Sequence, residues 1–237
     1  MPPEESMPSA APTADLVRLP PASLVLAAIA ALAPGDHLAT DADNTIWAGD
    51  VGDEVVRLAA TPPHTPWQAG QADFAAYLHL METEYQRGCQ HAAELLATVS
   101  AQDAESPLTQ AILARVRPRR WLVEALQQAI ARGVHVWLVS ASPRLAVELG
   151  ARCFGLQGSH VIAVDCLGPG EFVEPVPVGE GKVGAWQALG LPMPDVALGD
   201  SWWDLPLLAS AREGFLLTRA CDDPTCDQAL TEVATGS

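Results

Sequence analysis

Lysine is almost missing from this chain: of 13 basic residues only Lys182 is a lysine, and the rest are arginines. Against 29 acidic residues the formal charge is −16. So few basic groups exclude nucleic acid and an anionic membrane surface as partners, because both require clustered positive charge. Small metabolites and proteins remain. No apolar run reaches the roughly 20 residues that a spanning helix needs. Leu24 to Ala33 has the look of a signal-peptide core, but it follows Glu4, Glu5 and Asp15 with only Arg18 to oppose them. Cleavage near Ala33 would also fall at the edge of the first strand. The run is therefore predicted to be a packing helix closed by Pro34-Gly35. Cysteines are few and odd in number: Cys89, Cys153, Cys166, Cys221 and Cys226 form neither a CxxC hook nor a zinc-like spacing. Reduced thiols and a cytoplasmic location are expected.

What the chain does have is apolar material, 49% of 237 residues, enough for one large core plus a smaller unit. Residues 1–19, rich in Pro, Ala, Ser and Glu, are predicted to form a disordered tail. From Val51 to Arg117 the pattern is helical, with helices expected at Glu54 to Ala60, Phe74 to Gln86 and Ala92 to Val99, and no strand signal interrupts it. Pro118 is expected to open a helix that runs to Ala131, before a buried strand at Val134 to Val139. Apolar runs at Val161 to Val164, Val196 to Leu198 and Phe215 to Leu217 complete an alternation of strands and helices. That rhythm implies an α/β fold with a mainly parallel, Rossmann-like sheet covered by helices on both faces.

In such sheets ligands sit beyond the carboxyl ends of the strands, a rule that selects Asp41, Ser140 and Asp200. Asp41 and Asp43 end the first apolar run one residue apart. One carboxylate can attack phosphorus and hold a hard cation, while a second two positions on exchanges a proton with the leaving group. A calcium loop is excluded, because its sixth position is Ile46 and its twelfth is Gly52 where glycine and glutamate are required. Ser140 stands between a strand and a helix opened by Pro143, where a hydroxyl and free N–H groups bind anions; Ser142 is expected to be that helix's N-cap. Gly179-Glu180-Gly181-Lys182-Val183-Gly184 has the spacing of a dinucleotide fingerprint, but it lies late and follows a segment with two prolines. It lacks the Walker serine or threonine as well, since Val183 stands there. What remains is one lysine at a helix start. Gly199-Asp200 ends another strand, with Asp204 four residues on.

Asp41-Ala42-Asp43-Asn44-Thr45, Ser140, Lys182 and the Asp200 to Asp204 pair occur in the order of the four motifs of the haloacid dehalogenase superfamily, and resemble its phosphatase branch. An all-helical insertion after the first strand resembles the cap of its phosphoserine phosphatase-like members. The resemblance implies a core of residues 20–48 and 118–237 and a helical cap of residues 49–117, between the first and second core strands. It implies a phosphatase acting on a small phosphorylated metabolite. Asp41 is then the nucleophile, Asp43 the acid and base, and Ser140 and Lys182 hold the phosphoryl oxygens. Mg²⁺ is held by Asp41, the Asp43 backbone carbonyl and Asp200, and Asp204 supports Lys182 or the metal. Asp50, nine residues after Asp41, matches an acid that faces the substrate's amino group in phosphoserine phosphatases. The arginine that grips the substrate carboxylate there is missing from Phe74 to Glu84, and Arg87 is the nearest candidate. Trp202 and Trp203 are candidates for lining the entrance. The alternatives are a dehalogenase-like hydrolase acting on carbon and a non-catalytic metabolite-binding protein; the oligomeric state is left open.

Overall fold

The computed structural model describes residues 22–61 and 72–217. The predicted tail, Cys221 and Cys226 lie outside the described residues. α1 (Ala22–Ala31) precedes β1 (His37–Thr40), and a short β2 (Trp47–Ala48) leads into α2 (Val51–Ala60), α3 (Phe74–Thr83), α4 (Tyr85–Ala97) and α5 (Ala101–Arg115). The chain returns through β3 (Arg117–Pro118) to α6 (Arg120–Ala131), β4 (His135–Pro143), α7 (Arg144–Cys153) and β5 (His160–Val164). A hairpin of β6 (Cys166–Gly168) and β7 (Glu171–Phe172) comes next, then α8 (Glu180–Ala188) and β8 (Val196–Gly199). A 3₁₀ turn at Trp202–Asp204, α9 (Leu205–Ser210) and β9 (Glu213–Leu216) end the described fold.

The main sheet has the order β5-β4-β1-β8-β9, and every pairing in it is parallel. Because side chains alternate across a strand, each strand feeds two layers. Leu38, Val136, Leu138, Val196 and Leu198 pack with α1, α6 and α7 in one core. Ala39, Val139, Ile162 and Ala197 pack with Trp186 of α8 and with Leu207 and Leu208 of α9 in another. The chain crosses back over β1 to reach β8, so the strand order reverses at β1. The crevice at such a reversal is where open α/β sheets place ligands.

The helices α2 to α5 are inserted between β1 and β4, the first two core strands. The two ends of the insertion are tied by an antiparallel pairing of Trp47 with Pro118 and of Ala48 with Arg117. Expectation and structure part here. Pro118 opens no helix; it sits in β3, and α6 starts two residues later. The predicted helix from Phe74 to Gln86 breaks at Glu84, whose backbone (φ −141, ψ 61) is not helical, and α4 starts immediately after. α5 escaped the sequence reading because Pro107 lies inside it, and a proline there removes a helical N–H. The carboxylate of Glu54, 4% exposed, bonds Arg115 at 2.8 Å and so fastens α2 to the end of α5.

The glycines of the fingerprint-like segment serve packing. A Cβ on Gly181 would collide with the Val176 carbonyl, so the bare backbone lets α8 settle against the preceding loop and carries Lys182 inward. Among the described residues no helix is long and apolar enough to cross a membrane.

Candidate active site

The β1 ladder continues one residue past the strand, where the Asp41 N–H donates to Leu198 O of β8 at 2.8 Å. The chain then turns sharply. Ala42 O accepts from the N–H groups of Thr45 and Ile46 at 3.2 and 2.9 Å, and Asn44 adopts φ 60, a left-handed conformation that asparagine tolerates better than most residues. This turn points Asp41, Asp43 and Thr45 at the same polar end.

Lys182, 1% exposed, donates to Asp41 Oδ1 and to Asp204 Oδ1, each at 2.6 Å. The other Asp41 oxygen takes the Thr45 hydroxyl at 3.0 Å, which also reaches Asp200 Oδ1 at 3.4 Å. The other Asp204 oxygen accepts from the N–H groups of Asp200 and Ser201 and from the Ser201 hydroxyl, at 2.8 to 3.0 Å. Asp204 therefore supports Lys182 and the loop that carries Asp200, and it makes no side-chain cap to α9. Asp43 Oδ1 takes the Trp47 indole N–H at 2.7 Å and the Val51 N–H at 2.8 Å. Its Oδ2 takes the Ser142 hydroxyl at 2.7 Å and the Ser140 hydroxyl at 3.4 Å. Ser142 is thus not the expected helix cap. Pro143 occupies that position, and β4 runs on far enough to lay Ser142 against Asp43.

Burial sets the protonation of these groups. It raises the Asp41 carboxyl well above the ordinary range; Lys182 opposes this, and Asp204, Asp200 and Asp43 add to it. Burial also raises Asp43, against the bonds from Ser142, Trp47 and Val51. For Lys182, burial favours the neutral amine, but Asp204 and Asp41 outweigh it and hold the ammonium charged.

Asp41, Asp43, Ser140, Ser142, Lys182 and Asp200 line a cavity of about 230 Å³, together with Asp50, Asn44, Tyr77, Met81, Tyr85, Cys89 and Trp203. Asp50 is the N-cap of α2, accepting from the Gly52 and Asp53 N–H groups at 2.7 and 3.0 Å, and it faces the cavity as well. Burial and the charges of Asp43 and Asp53 raise its carboxyl well above the ordinary range. Tyr85 of α4 stacks on Trp203 at 4.7 Å between centroids and 7° between planes, so one aromatic wall joins the insertion to the sheet side. Trp202 is 85% exposed and lies outside that wall. Arg87 also lies outside: its guanidinium pairs with Glu84 at 3.0 Å and is mostly solvated.

The seven residues singled out in the sequence, Asp41, Asp43, Asp50, Ser140, Lys182, Asp200 and Asp204, converge here, the last from behind Lys182. Thr45, Trp47 and the lining residues Tyr77 and Tyr85 were not singled out from the sequence. Thr45 carried a signal, as the third polar member of the Asp41 motif; Trp47 carried none.

Oxygens of Asp41, Asp200 and Asp204 lie within 4.8 Å of one another. Asp204 stands behind Lys182 and does not line the cavity, whereas Asp41 and Asp200, bridged by Thr45, both line it and form the facing pair. Carboxylate oxygens without thiol or imidazole suit a small hard cation such as Mg²⁺.

The fold has relatives of known structure. A Bordetella pertussis Tohama I protein of unknown function shares 21% identity with a TM-score of 0.58, over 73% of this chain and 86% of that one. A phosphoserine phosphohydrolase-like protein from Francisella tularensis subsp. tularensis SCHU S4 shares 14% with a TM-score of 0.53, over 75% and 84%. A phosphoserine phosphatase in the form of a phospho-aspartyl intermediate analogue shares 18% with a TM-score of 0.51, over 75% and 84%. No curated protein matches the sequence. The model of the haloacid dehalogenase-like hydrolases matches residues 38–209, most of the described fold, and the chain belongs to that family.

Proposed function

We propose that the chain is a phosphatase that hydrolyses a small phosphomonoester through an aspartyl-phosphate on Asp41. The observation that carries this reading is the second carboxylate: Asp43 lines the same cavity as Asp41 and is held from both sides by hydrogen bonds. Displacing halide from carbon needs no such proton carrier; an alkoxide leaving group does. An Asp41 oxygen attacks phosphorus as the ester O–P bond breaks, and the departing oxygen takes the proton of Asp43. Asp43, now a carboxylate, removes a proton from water, which attacks phosphorus and breaks the Asp41–phosphate bond, releasing phosphate. Burial that raises the Asp43 carboxyl suits a group that must carry a proton near neutrality. Lys182 holds the attacking carboxylate and, with the Ser140 hydroxyl, stabilises the phosphoryl oxygens. Mg²⁺, held by Asp41, Asp200 and the backbone carbonyl of Asp43, would offset the charge that gathers on the phosphoryl group.

The cavity also favours a cationic leaving group. Among the described residues its lining has four carboxylates, Asp41, Asp43, Asp50 and Asp200, against the single ammonium of Lys182, and that ammonium is already shared by two carboxylates. Among the described residues no guanidinium lines it to receive a substrate carboxylate. An amino alcohol phosphate fits, with its ammonium near Asp50 and the aromatic wall.

A phosphatase screen with Mg²⁺ tests the reading. Turnover of small phosphomonoesters that chelation abolishes is the expected result; turnover of a haloacid that survives chelation would replace the reading with carbon chemistry. Asp50→Asn should raise KM about tenfold for an aminated ester and spare a neutral ester of equal size, on the order of one charge-assisted bond. Equal effects on both would remove Asp50 from substrate recognition.

A further inference from the structure

One oxygen of Asp43 is held by the root of the helical insertion. Trp47 belongs to β2, where the chain leaves for the helices and pairs with the returning β3, and Val51 is the first residue of α2. Both donate to the same carboxylate oxygen, Oδ1. Trp47 is fully buried, with its ring 5.5 Å from that of Phe154 between centroids and lodged over Gly150 of α7. A Cβ on Gly150 would stand 3.0 Å from Trp47 Cη2, so the glycine makes room for the indole. This packing seats the ring with its N–H on Asp43. A buried indole needs some acceptor, and a backbone carbonyl would serve. A carboxylate is the stronger acceptor, and here it is one that has a proton to manage.

Two N–H donors on Oδ1 also decide where that proton goes. An N–H has no lone pair to accept from a protonated Oδ1, whereas the Ser142 and Ser140 hydroxyls at Oδ2 can accept as well as donate. Both serines line the cavity.

We infer that Trp47 is a positioning residue for proton transfer: by occupying Oδ1 from the stalk of the insertion, it keeps the Asp43 proton on Oδ2, beside the departing oxygen. The inference rests on the phosphatase reading, in which Asp43 is the acid. In that step the proton leaves Oδ2 for the ester oxygen as the O–P bond breaks.

Trp47→Phe keeps most of the ring and deletes the donor. With Mg²⁺ present, kcat/KM is measured for an alkyl phosphomonoester that the wild type hydrolyses and for 4-nitrophenyl phosphate, whose leaving group departs without a proton. The expected result is a loss of about tenfold or more on the alkyl ester, a part of the 10²- to 10⁴-fold that a placed acid contributes, with little change on the nitrophenyl ester. An equal loss on both esters, or none on either, would overturn the assignment, because a merely structural tryptophan does not distinguish leaving groups. Should Trp47→Phe not fold, the benzothienyl-alanine analogue of tryptophan, with sulfur in place of N–H, gives the same ratio. Asp43→Asn, measured in parallel, separates the two levels. Leaving-group bias in Asp43→Asn without bias in the Trp47 variants overturns the role of Trp47 alone. Undiminished alkyl ester turnover in Asp43→Asn overturns the mechanism beneath it.

Discussion

The two edges of the central sheet are made by the same strands and are chemically opposite. At the carboxyl edge β1 and β8 run into Asp41 and Asp200 and β4 passes through Ser140, around one buried ammonium. At the amino edge β1, β4 and β5 begin with His37, His135 and His160, whose rings form a ladder of 5.0 and 5.9 Å steps beside Trp137 and Trp186. Parallel register sets up this row by pairing His37 with His135 and Trp137 with His160. The difference lies in what charge costs at each edge. At the amino edge burial, followed by the neighbouring His135, pulls the His37 pKa below its ordinary value. The carboxyl edge gathers like charges in a buried place, which raises the Asp41, Asp43 and Asp50 carboxyls and costs folding free energy.

Removing the ammonium should break that balance most severely. Lys182→Met leaves Asp41 and Asp204 buried without their counter-ion and is expected to lower stability by about 3–5 kcal/mol in urea unfolding. His160→Gln, at the exposed end of the other edge, should change it by only about 0.5 kcal/mol. Similar losses in the two variants would erase the contrast. Lys182→Arg should retain more stability but lose activity, since a planar fork does not replace a point charge in a closed site.

Acid should then pull the two edges in opposite directions. Asp41, Asp43 and Asp50 have raised pKa values. Folded protein therefore binds their protons more readily than unfolded chain does, and the carboxyl edge gains stability as pH falls from neutrality towards about 4. His37 is lowered, so the unfolded chain binds its proton more readily, and the amino edge loses stability as pH falls through about 6.5. Thermal melts in a chelator should show Asp43→Asn more stable than wild type at neutral pH, with a smaller gain on acidification. His37→Gln should remove a loss near pH 6.5 that wild type retains, again on the order of the ordinary imidazole value. A melt in which Asp43→Asn is the less stable protein at neutral pH would contradict the account of a carboxyl edge that costs folding free energy.

The smallest effects belong to the tryptophan pair beside the cavity. Trp203→Ala loses the stack on Tyr85, worth about 0.5–1.5 kcal/mol beyond its buried area, and should alter KM. Trp202→Ala, at an exposed position, should leave both stability and KM nearly unchanged.

The strand ends of the carboxyl edge were legible in the sequence because their signals are local: an apolar run, then a polar residue. Asp41, Ser140 and Asp200 needed only that. The alternation of runs and helices was enough for a parallel sheet, and the missing strand signal from Val51 to Arg117 was enough for a helical insertion. Positions that depend on contacts distant in sequence were not legible. Pro118 looks like a helix opener until Trp47 pairs with it, and Pro107 looks like a break until the rest of α5 packs around it. Ser142 had the right neighbour for a cap, and nothing local showed that β4 would extend far enough to bring it to Asp43. The indole of Trp47 bonds Asp43 across a local turn, but the packing that seats its ring comes from Phe154 and Gly150, far along the chain.

The most direct test of the central claim is the mass of the protein quenched in acid during turnover of 4-nitrophenyl phosphate with Mg²⁺. One added phosphoryl group, located on Asp41 in the peptide digest and absent from Asp41→Asn, is the predicted result. Turnover with no phosphorylated protein, or with the phosphoryl group on any other residue, would contradict it.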